Sequence, residues 1–465
     1  MEYTCDYLVV GAGAVGMAFV DTLLEESDAS ILVVDARHQP GGHWNDAYSF
    51  VRLHQPSHFY GVASTPLGSY RIDETGFNKG FYELAGGAEV QSYFERVMRE
   101  RFLPSGRVQY LPMCRFEADG TLHHLLSGEK STVTINKRRV DCTFFETSIP
   151  SRHKPKFEIG EGVACQPPNA LPVIAPQFSS YCVLGAGKTA MDALIWLLDH
   201  GAAPADITWV CPRQSWMINR EVTQASATFF KESIGGFANQ LQACAEATSP
   251  ADLFDRLEAC GFVVRVNEQE RPQMFHFATI SKGEVERLRQ LTNLIEGSRV
   301  AAIETTALKL SNGETCAMAD DTLYVDCTAS AVDFTRTDTR PVFEDGLITI
   351  QPVRMPNPCL SAAVTAYLEC HYQDDEERNR LAQPVLLPDD EVGYVRATLG
   401  NMMNQLTWSA ERGLSQFVRD CRLDGFGAVV AAVDTDDPEQ VAIVEKMQRY
   451  AEPAGLNLFK LLSEA

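Results

Sequence analysis

No Cys-x-x-Cys or Cys-x4-Cys pair occurs among the 13 cysteines of this 465-residue chain, and that absence removes the dithiol chemistry of the disulfide reductases. The cysteines are odd in number and scattered, so reduced thiols in a reducing compartment are expected, not a disulfide framework. Basic residues are scarce: 40 Lys and Arg against 62 Asp and Glu leave a formal net charge of −22, which argues against nucleic acid or an anionic membrane as partner. No apolar run reaches the length of a membrane span. The opening Met1-Glu2-Tyr3-Thr4-Cys5 places no basic segment ahead of an apolar one, so a cytoplasmic protein is expected. Metal-ligand spacing is missing as well, and His123-His124 reads as a surface pair. What remains, 45% hydrophobic and 22% charged, is the composition of a soluble globular protein with enough chain for two or three domains.

Two glycine-rich turns carry the chemistry. Gly11-Ala12-Gly13-Ala14-Val15-Gly16 follows the apolar run Tyr7-Leu8-Val9-Val10 and opens a segment with Val15, Phe19 and Leu23 at helical spacing, the strand, turn and helix that a dinucleotide fingerprint requires. Gly11 permits the tight turn, Gly13 lets backbone approach a diphosphate, and Gly16 lets helix and strand pack closely. A second strand, Ile31-Leu32-Val33-Val34, ends in Asp35 beside Ala36, where a carboxylate suits a ribose diol, as in a unit for FAD or NAD. Gly185-Ala186-Gly187-Lys188-Thr189-Ala190 repeats the pattern after Tyr181-Cys182-Val183-Leu184, with alanine in the third glycine's place. Its second strand, Ile207-Thr208-Trp209-Val210, leads to Cys211-Pro212-Arg213; an arginine there can receive a 2′-phosphate, so NADPH is expected over NADH. Lys188 is expected to add positive charge near the phosphates or to face water. A further echo, Val140-Asp141-Cys142-Thr143 against Val325-Asp326-Cys327-Thr328, predicts a matching strand that closes each unit.

Between the turns stand Gly41-Gly42-His43-Trp44-Asn45-Asp46-Ala47-Tyr48, Val51-Arg52-Leu53-His54-Gln55-Pro56-Ser57 and Phe59-Tyr60. Here the chain resembles the class B flavoprotein monooxygenases, that is, the flavin-containing, N-hydroxylating and Baeyer-Villiger enzymes: with a one-residue deletion, Trp44, Tyr48, Arg52, Ser57 and Tyr60 match the order those families place along the flavin. The stretch from Arg213 through Trp216 to Arg220 is similar to their segment after the second strand of the NADPH domain. The resemblance covers about 1–62 and 175–221. Two departures stand out. The histidine of a Phe-x-Gly-x-x-x-His fingerprint is absent, since Cys165-Gln166-Pro167-Pro168-Asn169-Ala170-Leu171-Pro172 precedes the second turn, and His54 replaces an aspartate usual in the Baeyer-Villiger enzymes, which weighs against lactone-forming chemistry.

The resemblance implies an α/β fold of two Rossmann-like dinucleotide-binding domains, one for FAD and one for NADPH, the second inserted in the first, plus helical additions. The expected boundaries are 1–172 for the first part of the FAD domain, 173–326 for the NADPH domain with a helical insertion at about 222–290, and 327–465 for the return and a C-terminal helical region. Within these, Phe229 to Leu257 reads as two helices, Val392 to Trp408 as a helix on the flavin domain or a partner subunit, and Gln351-Pro352-Val353-Arg354 as a segment at the isoalloxazine edge. It implies oxygenation of a small or medium organic substrate by dioxygen through a flavin C4a-(hydro)peroxide. Arg52, His54, Gln55 and Asn219 are the candidates for the shell around it, with Gly42, His43, Trp44 and Arg52 also against the cofactor. A flavoprotein oxidase or dehydrogenase, and a non-catalytic redox sensor, stay open at this stage, as do the substrate and association into homo-oligomers.

Overall fold

The computed structural model describes residues 2–145, 147–330, 332, 334 and 340–464. The run Glu2–Val10 forms the inner strand of an eight-stranded sheet, flanked in parallel by Ile31–Asp35 and Lys130–Asp141, with Val108–Pro112 beyond. Leu8, Val9 and the Ile31–Val34 run are buried, as expected of strands covered on both faces. The helix Ala14–Glu26 lies on one face, and Pro358–His371 packs against it.

From Asp141 the chain leaves this sheet and builds a second, five-stranded parallel one in the order Asn293–Glu296, Ile207–Cys211, Ser180–Leu184, Thr322–Asp326, Cys165–Gln166. It then returns, and Leu347–Thr349 pairs in parallel with Lys130–Asp141. The second unit is therefore inserted in the first. Its start lies upstream of the 172/173 boundary expected from the sequence, because Cys165–Gln166 pairs with Thr322–Asp326 and Glu158–Ile159 pairs with Val300–Glu304.

The Val-Asp-Cys-Thr echo has a structural meaning. Cys142 N–H donates to the Val10 carbonyl (3.0 Å) and Cys327 N–H to that of Leu184 (2.9 Å), each closing its unit beside the strand that feeds the glycine turn. In both copies the threonine N–H and hydroxyl fold back on the aspartate Oδ1 (2.8 and 2.7 Å at Thr143; 2.9 and 2.6 Å at Thr328). One local device is thus used twice.

The stretch expected as a helical insertion holds the helices Phe230–Glu246 and Pro250–Ala259, the second capped by the Ser249 hydroxyl, but also the strand Met274–Ile280, which joins Ser215–Asn219 and Val263–Val264 in a small sheet. Helix Glu391–Ala410 packs on neither unit alone: Tyr394 sits 5.1 Å from Phe254 and 4.8 Å from Phe275 in the insertion, while Trp408 buries in the core of the first unit. Its Asn401 brackets Met355, accepting from its N–H (2.8 Å) and donating to its carbonyl (3.0 Å), and Asn404 donates to the Val353 carbonyl (2.7 Å). The C-terminal helix Pro438–Glu464 completes this layer against Phe230–Glu246. Among the described residues no helix is long and apolar enough to cross a membrane.

Candidate functional site

At the first turn Gly11 has φ 104°, in the region that favours glycine, and a Cβ on Gly16 would stand 2.0 Å from the Gly11 carbonyl oxygen. Gly42 lies against the turn so closely that its Cβ would stand 2.9 Å from the Gly13 Cα. Helix Ala14–Glu26 begins at Gly13 with no side-chain cap and no acid in its first turn, which leaves its leading N–H groups for an external anion. Asp35 is buried and oriented by two backbone donors, Ala12 N–H to Oδ2 (2.6 Å) and Arg37 N–H to Oδ1 (2.7 Å). Ala36 follows, half-buried. The next wall is aromatic: the Trp44 indole donates to the Tyr60 hydroxyl (2.7 Å), and His43 stacks on Trp44 at 5.5 Å. Burial, aided by Arg37 and opposed by Asp46, pushes the His43 pKa down to about 4, so its ring is neutral at pH 7.

The second turn repeats the geometry. Gly185 has φ 127° and a Cβ there would meet the Cys327 carbonyl oxygen at 2.6 Å, whereas Gly187 faces open space. Helix Lys188–Asp199 likewise starts without a side-chain cap. The loop of the first unit reaches across to it: Tyr48 donates to Asp192 Oδ2 (2.8 Å), its phenolic oxygen also meets Thr189, and Phe50 stacks on Trp196 at 5.5 Å.

Lys188 neither faces water nor offers a free charge to phosphates. Its ammonium is buried between Asp192, to which it is hydrogen-bonded, and Glu284 (3.1 Å). Glu284 also pairs with Arg220 (2.6 Å) and accepts from Ser281 N–H (2.8 Å). Burial works against the Lys188 charge, but Asp192 and Glu284 outweigh it and raise its pKa. Burial likewise opposes the Glu284 charge, yet Lys188 and Arg220 draw its pKa down to about 2. Two cations and two carboxylates cancel, which is the condition under which such a buried cluster survives. Arg220 and Thr279 fasten this cluster to the first unit, since both donate to the His54 carbonyl.

The four residues expected around the oxygen chemistry have different surroundings. His54 lies beside the ion cluster, where burial, then Lys188, pushes its pKa down to about 4; it can hydrogen-bond but carries no charge at pH 7. Asn219 is fully engaged: its amide donates to the Gly261 carbonyl (3.1 Å) and Glu221 Oε2 (3.3 Å) and accepts from Glu221 N–H (3.3 Å), so it caps the turn Arg220–Thr223. Arg52 is exposed and donates to the Leu84 carbonyl (3.3 Å). Only Gln55 lines the large cavity between the units. Arg213, expected to be open to a 2′-phosphate, is paired with Asp389 (3.3 Å), which also meets His276 Nε2 (2.7 Å).

That cavity encloses about 410 Å³, the size of a small-molecule pocket. Helix Phe230–Glu246 supplies Ile234, Phe237 and Leu241, and the return to the first unit supplies Arg354, Met355 and Leu360. Gln351, in contrast, spends its amide on the Arg340 carbonyl (2.9 Å). Sequence reading missed Asp192, Glu284 and the partnership of Tyr48; the one available signal was Ser281-Lys282-Gly283-Glu284, a capping box that the structure forms and that fixes a glutamate at a helix start.

Residues 9–64 match the family profile described as an NAD(P)-binding Rossmann-like domain. The chain is 38% identical over 460 residues to the uncharacterized protein Rv2000 of Mycobacterium tuberculosis, covering 99% of this chain and 85% of that one. Among solved structures it is similar to an oxidized steroid monooxygenase bound to NADP, with 12% identity, TM-score 0.47, and 79% of this chain and 85% of that chain covered. A flavin monooxygenase from Stenotrophomonas maltophilia aligns with 12% identity and TM-score 0.46 over 80% of this chain and 100% of that one.

Proposed function

The chain belongs to one family with the uncharacterized protein Rv2000 of Mycobacterium tuberculosis, and we propose, from its own residues, that it is an FAD-dependent monooxygenase, reduced by NADPH, that oxygenates a small or medium organic molecule. The observation that carries this reading is the paired turn geometry: two glycine cradles, each ahead of an uncapped helix and each closed by the same Val-Asp-Cys-Thr strand end. The resemblance of the Trp44 to Tyr60 loop to class B flavoprotein monooxygenases assigns FAD to the first cradle and NADPH to the second.

The residues present fit both groups. The cradle has no room for a Cβ at Gly16 or Gly42, and Gly11 holds a positive φ; the Asp35 carboxylate is preset for a ribose diol, and Trp44 with Tyr60 walls the first site. Bound FAD supplies two-electron transfer from NADPH and activation of dioxygen. The chain's own work is positional. The N–H groups from Gly13 and Ala14 would hold the first diphosphate and those at Gly187 the second, while Tyr48, through Asp192 and Thr189, keeps the first unit's loop against the second turn. The cavity walls are largely apolar, and the Gln55 amide offers a donor and an acceptor there without adding charge.

A flavoprotein oxidase or dehydrogenase is the second reading, favoured by the pairing of Arg213 with Asp389, which lessens the pull on a 2′-phosphate. Anaerobic mixing of the yellow holoprotein with NADPH and with NADH separates the two. Bleaching of the flavin by NADPH, faster than by NADH, with colour restored by air, is expected of the monooxygenase; a flavin that neither nucleotide reduces overturns it.

A further inference from the structure

The cavity holds one cation whose partners do not account for it. Arg354 sits half-buried on the cavity wall. Among the described residues its guanidinium makes one hydrogen bond, Nη1 to the neighbouring Met355 carbonyl (3.1 Å), and no carboxylate oxygen lies within 4.0 Å of it. Asp424 on the same wall is beyond that distance and is engaged by Gly427 N–H (2.7 Å). Three other polar side chains of the wall are committed elsewhere: Gln240 donates to Tyr394 (2.6 Å), Ser233 to the Phe229 carbonyl (2.6 Å), and Asn357 to the Leu423 carbonyl (2.6 Å).

The backbone that carries Arg354 is held in place. Ser361 Oγ accepts from the N–H of Val353 and of Arg354 (3.1 Å each), and Asn401 and Asn404 tie down Met355 and Val353 from the opposite helix. A guanidinium presents five donors in a fixed fork that matches a carboxylate, and Arg354 lines the same space as Ile234, Phe237, Leu241 and Met447. Burial drags the Arg354 pKa down, opposed only by Asp424, so an anion arriving beside it relieves a real desolvation cost.

We propose that this cavity binds an apolar carboxylic acid, its carboxylate forked on Arg354 and its hydrocarbon body against Ile234, Phe237, Leu241 and Met447. The assignment deepens the monooxygenase reading and rests on it only for calling the ligand a substrate; the binding itself does not depend on turnover.

The test uses purified holoprotein and a matched set of probes that differ only in the head group: 4-phenylbutyrate, 4-phenylbutanol and 4-phenylbutylamine, titrated by calorimetry at pH 7. The acid is expected to bind about tenfold or more tighter than the alcohol, with the amine weakest. Arg354→Met is expected to raise the Kd of the acid by about 10- to 100-fold and to leave that of the alcohol within about twofold, while Arg354→Lys, which keeps the charge but not the fork, falls between. Equal affinity of acid and alcohol in the unaltered protein, or tightest binding of the amine, overturns the proposal without recourse to any variant. Flavin reduction by NADPH together with equal affinities would leave the monooxygenase reading standing and remove the anchor. Preference for the acid in a chain whose flavin no nucleotide reduces would keep the anchor and remove the reading.

Discussion

Glu284→Gln tests the buried ion cluster that joins the two units. Glu284 bonds to Lys188 at 3.1 Å and Arg220 at 2.6 Å, with 9% of its side chain exposed. Glutamine keeps the shape and the bond to Ser281 N–H but leaves the cluster with an uncompensated positive charge. Removing one partner of a buried pair costs about 3–5 kcal/mol. The pH dependence gives a second figure: burial opposes the Glu284 charge but Lys188 and Arg220 take its pKa from the ordinary 4.5 down to about 2, which corresponds to about 3 kcal/mol of stability. Because the folded pKa is depressed, this contribution is present above pH 4.5 and drains away as the pH falls toward 2. Urea unfolding followed by tryptophan fluorescence at pH 7 should show the variant less stable by about 3–5 kcal/mol. In a series toward pH 2.5 the two proteins should converge. A deficit at pH 7 smaller than about 1 kcal/mol, the range of an exposed pair, or one that persists undiminished at low pH, refutes the claim that these charges depend on one another.

Three other substitutions probe the turns and the expected site residues. Gly16→Ala drives a methyl against the Gly11 carbonyl and should yield protein that purifies without flavin, checked by the ratio of visible to ultraviolet absorbance. Asp389→Asn releases Arg213 from a half-exposed ion pair, so the NADPH over NADH affinity ratio, read by nucleotide titration, should rise by about two- to fivefold. Asn219→Ala removes a cap and should lower stability by about 1–2 kcal/mol, with the rate of flavin reduction per bound flavin unchanged within about twofold; a collapse of that rate in folded protein would return Asn219 to the chemistry.

The glycine turns and the Val-Asp-Cys-Thr echo were legible because their geometry is set within a few residues: a positive φ at Gly11 and Gly185 and a threonine folded on its own Asp-x-Thr loop leave marks in local sequence. The burial of Lys188 was hidden because the carboxylate that helps to bury it, Glu284, stands 96 residues away in the insertion, and nothing in a helix-start lysine announces such a partner. The ion pair of Arg213 was hidden for the same reason, its partner Asp389 lying 176 residues on. The early start of the second unit was hidden by strand length, since two-residue strands such as Glu158–Ile159 and Cys165–Gln166 carry no periodicity to read. The strand Met274–Ile280 escaped because the helical patterns on either side dominate that stretch.

The central claim is that one chain holds two dinucleotides at once, and native mass spectrometry of the purified protein titrated with NADP+ tests it most directly. The account predicts a species with one FAD that gains one NADP+ while retaining its FAD. A chain that never carries more than one dinucleotide, or that exchanges FAD for NADP+ at a single site, contradicts it.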